Sequence, residues 1–174
     1  YQNTSSLNAG LDEILEVRKD ITSTGASVNV SRALIRFDLS QISSSMVRRT
    51  IKSPRFYLNL YDANPSSLAT SQSLYAYPVS GSWVMGDGRS YDNPITTEGA
   101  SWKYKDGLIN GTLWPGTVSS SGGQWYDGDG YVASSSLTHK TSDVRMEVTD
   151  IVNKWLALTM PNEGFMIKRS GSVG

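Results

Sequence analysis

The sequence predicts an all-β protein, a jelly-roll-like antiparallel β-sandwich with one short helix near residues 149–159 and long aromatic, glycine-rich loops. Three observations carry this prediction. Residues 33–39 alternate between apolar and polar side chains, as a half-buried strand does. Residues 143–155 begin with the same alternation and change to a helical period at Thr149. Between these stretches lies a long region with almost no helical signal.

The first strands are expected near the amino-terminal end of the sequence. Residues 13–19 alternate weakly and favour a strand over a helix, and residues 22–27 are typical turn formers. Residues 28–39 contain the clearest strand pattern of the chain. Residues 41–53 are polar, and we expect them to form a polar connector that Pro54 closes.

Two further strands are expected before the aromatic region. Residues 56–61 alternate between an apolar face and an outer face that carries Tyr57 and Tyr61. Residues 74–79 form the next strand. Proline cannot donate a hydrogen bond to a neighbouring strand, so Pro78 indicates an edge strand or the end of a strand.

Residues 80–137 contain four of the five tryptophans and most of the glycines. A structureless loop of this length is unusual inside a compact domain. We therefore expect short strands around residues 99–104 and 130–136, joined by Asp-Gly and Asn-Gly turns.

The carboxyl-terminal part predicts a strand, a helix and a last strand. Residues 144–148 alternate, and Thr149 or Asp150 is expected to cap a helix of two to three turns. Residues 165–168 form the final strand. Three apolar side chains are expected on the inner face of the helix: Ile151, Trp155 and Leu158.

Size and charge exclude several functions. The 174 residues fit one β-sandwich domain, 1–174, which reads as a fragment of a longer chain whose final strands lie beyond residue 174. There is no cysteine, so a disulfide framework and a cysteine nucleophile are excluded. Sixteen basic and sixteen acidic residues are spread without a basic stripe, which argues against nucleic-acid binding. No apolar run is long enough for membrane insertion.

Several motifs together resemble a known family. They are the strand-like run SRALIRFDLS at 31–40, the central tryptophan-rich stretch, EVTDIVNKW at 147–155 and NEGF at 162–165. In this order they resemble the DNRLRE, or disaggregatase-related, domain family. The glycine–tryptophan motifs at 81–88, 99–104 and 122–125 are similar to the version of this domain found in tailed-phage virion structural proteins.

The resemblance covers roughly residues 11–170 and implies a jelly-roll fold in secreted, cell-surface or virion proteins, some regarded as carbohydrate-binding modules. It supplies no catalytic residues. It also implies further core strands after the last one seen here, so either the chain continues or another chain completes the sandwich.

The aromatic side chains of the central region are the main candidates for a ligand or interface site. Aromatic rings stack on sugars and anchor protein interfaces, and they also cover the ends of a sandwich. All three roles stay open at this point. The candidates are Trp83, Tyr91, Trp102, Tyr104, Trp114, Trp125 and Tyr126, with Tyr131 beside them.

Catalysis and metal binding have weaker support. The acidic residues of the central region lie mostly in turn contexts, where aspartate binds its own backbone, and His139 is the only histidine. Asp127 and Asp129 resemble the start of a calcium loop but lack its remaining ligands, so they are weak calcium candidates. We expect no enzyme and no cofactor.

The sequence thus favours a non-enzymatic structural domain of a phage virion, in the tail, fibre, neck or capsid decoration. Its expected partners are other virion subunits, with homo-oligomers and a virion location. The alternative is a carbohydrate-binding module that anchors a larger extracellular or cell-surface protein to polysaccharide, including a host-surface glycan.

Overall fold

The structure is a computed structural model that describes residues 5–21, 24, 27–47, 53–61, 71–107, 111–115, 122–138 and 143–169. His139 lies outside these residues. The described chain forms eight strands and two short helices. In chain order they are β1 Lys19–Ile21, β2 Ser27–Val30, β3 Ala33–Ile35, α1 Ser40–Val47, β4 Tyr57–Tyr61, β5 Gln72–Pro78, β6 Ala133–Leu137, β7 Asp143–Glu147, α2 Thr149–Leu156 and β8 Phe165–Arg169.

All strand pairs are antiparallel, and they form two layers and a hairpin. The larger sheet has the order β3-β8-β5-β6, the smaller sheet pairs β4 with β7, and β1 pairs with β2 as a hairpin. The predicted all-β sandwich is confirmed.

The strand order is that of a jelly roll with its two central strands missing from the described chain. In a jelly roll the first strand pairs with the last, the last with the third, and the third with the sixth, while the second pairs with the seventh. Starting from β3, this chain follows that order through β8, β5 and β6, and through β4 and β7. The positions of the fourth and fifth strands fall in the aromatic region between β5 and β6.

The main core lies between the two sheets and includes α2. Inward-facing side chains of the larger sheet, such as Ala76 and Ile167, meet Leu58 and Met146 of the smaller sheet in one buried cluster. Trp155 is buried and its ring lies 4.7 Å from that of Phe165, as expected for a core residue. Burial of these large apolar side chains is the main stabilising contribution of the framework.

Helix α2 differs in detail from the prediction. Its cap residue is Val148, and no side chain caps it. Instead, the Thr149 hydroxyl oxygen accepts a hydrogen bond from the Phe56 backbone N–H at 3.0 Å, which ties the helix to the start of β4. Leu158, expected on the inner face, is 89% exposed because the helix ends at Leu156.

Other element boundaries also need correction. The predicted connector at 41–53 contains α1, which buries none of its residues and is held by local bonds such as that from the Ser40 N–H to the Asp38 carboxylate. The strand expected at 28–39 is divided into β2 and β3, and the strand expected at 13–19 begins only at Lys19.

The strand that contains Pro78 is interior to its sheet, and Pro78 is its last residue. The strand expected at 99–104 is reduced to an isolated bridge between Tyr104 and Leu113. In the described parts of the chain, neither helix is long and apolar enough to cross a membrane.

Candidate binding surface

The described part of the aromatic region, residues 79–131, packs on the outer face of the larger sheet at β8. Its described part makes isolated bridges rather than a sheet. Trp114 is 2% exposed and packs with Val79 and Met166 in a second core, on the side of the sheet opposite the main core. Because both faces of β8 are covered, Phe165, Met166 and Ile167 are all buried.

Indole hydrogen bonds hold this region together and tie it to the segment that precedes β8. The Trp114 indole N–H donates to the Ser101 carbonyl at 2.9 Å, and the Trp83 indole N–H donates to the Glu163 carbonyl at 2.7 Å. Trp102 is also buried. The faces of Trp102 and Trp114 are therefore part of the protein interior rather than an open platform.

A ladder of alternating cations and rings runs beside the second core. The Arg32 guanidinium lies 4.5 Å from the Trp102 ring centre and 5.1 Å from that of Trp125. The Lys168 ammonium lies 4.2 Å from the Trp125 ring and 5.6 Å from Tyr77. Such contacts each stabilise the structure by about 0.5–2 kcal/mol, so the ladder fixes Trp125 on the sheet.

Burial affects both cations of the ladder. It lowers the pKa of Arg32 to about 10. The pKa of Lys168 is also lowered, first by burial and then by the nearby charge of Arg32. One guanidinium N–H of Arg32 donates to the Gly122 carbonyl at 2.7 Å. The face of the sheet that bears the ladder is therefore basic and aromatic.

Tyr75 and Tyr77 continue the ladder along β5, although the sequence did not single them out. Their rings lie 6.0 Å apart at an interplanar angle of 23°, side by side on the outer face of the sheet. The available signal was their alternation with buried Leu74 and Ala76 along β5.

The remaining predicted residues are dispersed. Tyr126 packs on the main core and stacks on Tyr131 at 5.7 Å. The Lys103 ammonium lies 5.1 Å from the ring centre of Tyr104. Tyr91 is 76% exposed on a loop.

The acidic side chains serve turns. Asp92 accepts bonds from the Arg89 N–H at 2.8 Å and the Thr96 hydroxyl at 2.9 Å, and these bonds lower its pKa. Asp127 and Asp129 are exposed. Across the described ranges, no three acidic, histidine or cysteine side chains come together as metal ligands.

Asn8, which no sequence signal marked, holds the loops of the aromatic region together. It is 2% exposed and uses its whole amide. Its NH₂ group donates to the Met85 and Ala100 carbonyls, both at 2.8 Å. Its carbonyl oxygen accepts from the N–H groups of Gly10 at 3.1 Å and Gly88 at 3.0 Å.

The segments that Asn8 joins expose a group of apolar side chains, which we call the apolar patch. The segments are also joined by backbone bonds from Leu11 to Gly88 and from Asn8 to Thr96. The exposed fractions range from 40% for Leu11 to 76% for Tyr91. The apolar patch consists of Leu11, Ile14, Leu15, Val84, Met85, Tyr91 and Ile95.

A cleft of about 360 Å³ opens beside the apolar patch. Its lining includes residues 32–36, which contain β3, and residues 14–16. Trp83, Trp102 and Trp114 contribute to its lining.

Comparisons of this chain with family models, with curated proteins and with solved structures found no match.

Proposed function

We propose that this chain is a non-enzymatic structural domain that acts through contacts with neighbouring protein subunits, and that the assembly is a phage virion. The observation that carries the assembly role is the apolar patch. Ile14, Leu15 and Met85 of the patch line the same cleft, and clustered exposed apolar side chains typically mark a protein contact. The virion setting is supported by the sequence resemblance alone.

The patch is a preformed surface, which suits assembly. Asn8 makes four hydrogen bonds beneath it, and the segments on either side are bonded to each other. A surface that is already ordered loses little conformational entropy when a partner binds. Repeated copies in a symmetric assembly then gain avidity from many such contacts.

Sedimentation velocity with patch variants tests the assembly role. Met85→Asp and Ile95→Asp place charges on the patch and leave the Asn8 side chain and its hydrogen bonds to backbone groups unchanged. We expect these variants to abolish concentration-dependent self-association or co-assembly. Tyr61→Asp is the matched control, because Tyr61 is 82% exposed on β4, in the smaller sheet. An unchanged sedimentation profile for the patch variants contradicts the assembly role.

The virion setting has its own test. Mass spectrometry of purified phage particles from the source of this chain should identify its peptides at a fixed ratio to the other structural proteins. Their absence from particles would leave an assembly domain outside a virion.

A carbohydrate-binding module is the second candidate, and the ring pair of Tyr75 and Tyr77 favours it. Two side-by-side rings on a sheet face form a platform for stacking sugars, and Lys168 supplies a donor beside it. Retention on immobilised polysaccharide that is lost in Tyr75→Ala and Tyr77→Ala, and kept in Tyr61→Ala, would support this alternative. No retention of the unmodified chain on any tested polysaccharide would remove it.

A further inference from the structure

Strand β6 is the last strand of the larger sheet, and the edge that it turns away from β5 is unpaired. Among the described strands, β6 pairs only with β5. In the described part of the chain, the backbone of Ser134, Ser135 and Ser136 makes no hydrogen bond outside that pairing. Ser135 lies opposite the buried Leu74 and faces the core with it, yet Ser135 is only half-buried, as expected at an uncovered edge.

The β6 edge also lacks the features that usually keep an edge strand from pairing. Edge strands are commonly protected by charged side chains, by proline or by a β-bulge. The sequence of β6 is Ala-Ser-Ser-Ser-Leu, which contains neither a charge nor a proline, and its five-residue register with β5 is continuous. β6 is therefore a regular template to which a further strand can add.

Two other unpaired edges carry charges that oppose pairing with a copy of the same strand. When a strand pairs antiparallel with its own copy about a twofold axis, residues equally distant from the centre lie opposite each other. β7 would place Arg145 opposite Arg145 of the copy, and β3 would place the flanking Arg32 opposite Arg36. Like charges in opposite positions destabilise a strand pair, whereas β6 has no such conflict.

We propose that β6 pairs antiparallel with β6 of a second copy about a twofold axis at Ser135, which joins the two larger sheets into one. In this register Ser134 lies opposite Ser136 on the outer face, and Ala133 lies opposite Leu137 on the core side. Leu137 is only partly buried, so the contact with Ala133 removes apolar surface from water. This inference names a second copy as the partner in the proposed assembly function and rests on that function.

The β6 edge alone is a small contact. Its five residues span about 17 Å, so pairing buries much less surface than a stable interface needs. In an assembly, contacts through the apolar patch hold copies together and raise the local concentration of β6 edges. Edge pairing then fixes the orientation of neighbouring copies.

Charged substitutions test both the pairing and its register. Ser134→Lys combined with Ser136→Lys places lysine opposite lysine, and we expect self-association in sedimentation velocity to weaken by about tenfold. Ser134→Glu combined with Ser136→Glu should weaken self-association to the same extent. An equimolar mixture of the two double variants should associate again, because each lysine then lies opposite a glutamate.

Cysteine cross-linking tests the contact without added charge, because the chain has no cysteine of its own. Ser135→Cys should form an intermolecular disulfide, since Cα atoms of opposite residues in an antiparallel pair lie about 4.5–5.5 Å apart, within the disulfide range. Asn59→Cys is the matched control, because Asn59 is exposed at the centre of β4, another uncharged edge strand. It should stay monomeric under the same oxidising conditions.

The outcomes separate edge pairing from the role of the apolar patch. Unchanged association of the lysine variant, no recovery on mixing, or equally fast cross-linking of Asn59→Cys and Ser135→Cys overturns edge pairing. If that happens while Met85→Asp abolishes assembly, the assembly role stands and only this inference falls. If the patch variants assemble normally and the lysine variant does not, edge pairing stands and the apolar patch is not the contact.

Discussion

The sandwich framework and the aromatic region are held in place by different means. In the framework, strand ladders satisfy the backbone and alternating side chains fill the main core, as β4 does with Leu58 inward and Asn59 outward. In the aromatic region, single side chains bind backbone groups across the sequence. Asn8 is the extreme case, because its amide bonds to Met85 and Ala100, which lie 77 and 92 positions further along the chain.

The aromatic region therefore shows that a sequence can specify a defined structure even where there is little helix or sheet. Its indole N–H groups at Trp83 and Trp114 donate to carbonyls, and cations lie over its rings. The stabilisation is concentrated in a few residues, whereas the framework spreads it over many. We therefore expect single substitutions to loosen the aromatic region locally and to unfold the framework globally.

The largest expected effect is in the framework, at Trp155. Trp155→Ala removes a ring that is 3% exposed and should lower the free energy of unfolding by about 3–5 kcal/mol. Trp155→Phe should lose clearly less, because the Trp155 indole N–H is buried without an acceptor among the described residues. Urea denaturation measures both, and equal losses would show that the N–H has a partner that matters.

Asn8→Ala should have the next largest effect, and a local one. It leaves two carbonyls and two N–H groups without their side-chain partner and should cost about 2–3 kcal/mol. We expect residues 84–100 to exchange backbone hydrogens faster while β5 and β8 stay protected. Asn59→Ala, at an exposed position of β4, is the control. Uniform loss of protection would show that the two regions unfold as one unit.

Two glycines of the aromatic region allow the stability cost of steric crowding to be distinguished from the cost of backbone conformation. Gly99 and Gly128 both have positive φ, 92° and 100°. A Cβ on Gly99 would lie 2.4 Å from the Gly86 Cα, whereas a Cβ on Gly128 meets nothing within 4 Å. Gly128→Ala should therefore cost about 1 kcal/mol from conformation alone, and Gly99→Ala should cost more. Equal shifts in melting temperature would contradict close packing at Gly99.

The smallest expected effect is that the aromatic region becomes less stable at acid pH. Hydrogen bonds from Arg89 and Thr96 lower the pKa of Asp92 below 3.8, and bonds from Thr112 do the same for Asp106. Each carboxylate therefore contributes stability that is present above its ordinary pKa and is lost as the pH falls through the folded value.

Tryptophan fluorescence between about pH 5 and about pH 2 should show this loss of stability. Asp92→Asn combined with Asp106→Asn should flatten the transition. A transition of unchanged shape in that variant would place the acid-sensitive groups elsewhere in the chain.

The agreement between sequence and structure follows the same division. The strand at 56–61, the strand that precedes α2 and the burial of Trp155 were all predicted, because alternation and helical period reflect which face is buried. Helix α1 was not predicted. It has no buried face, and its side chains bond to its own backbone, as Ser44 does to Ser40, so no apolar period marks it.

The local sequence thus determined the sandwich class, the inward faces of most strands and the short helix that carries Trp155. Only the tertiary structure decided that Trp102 and Trp114 are interior, that Arg32 and Lys168 lie between rings, and that Asn8 fastens the amino-terminal segment to the aromatic region. The physical reason is separation along the chain. Periodicity reports on burial within one element, whereas these contacts depend on which distant segments the fold brings together.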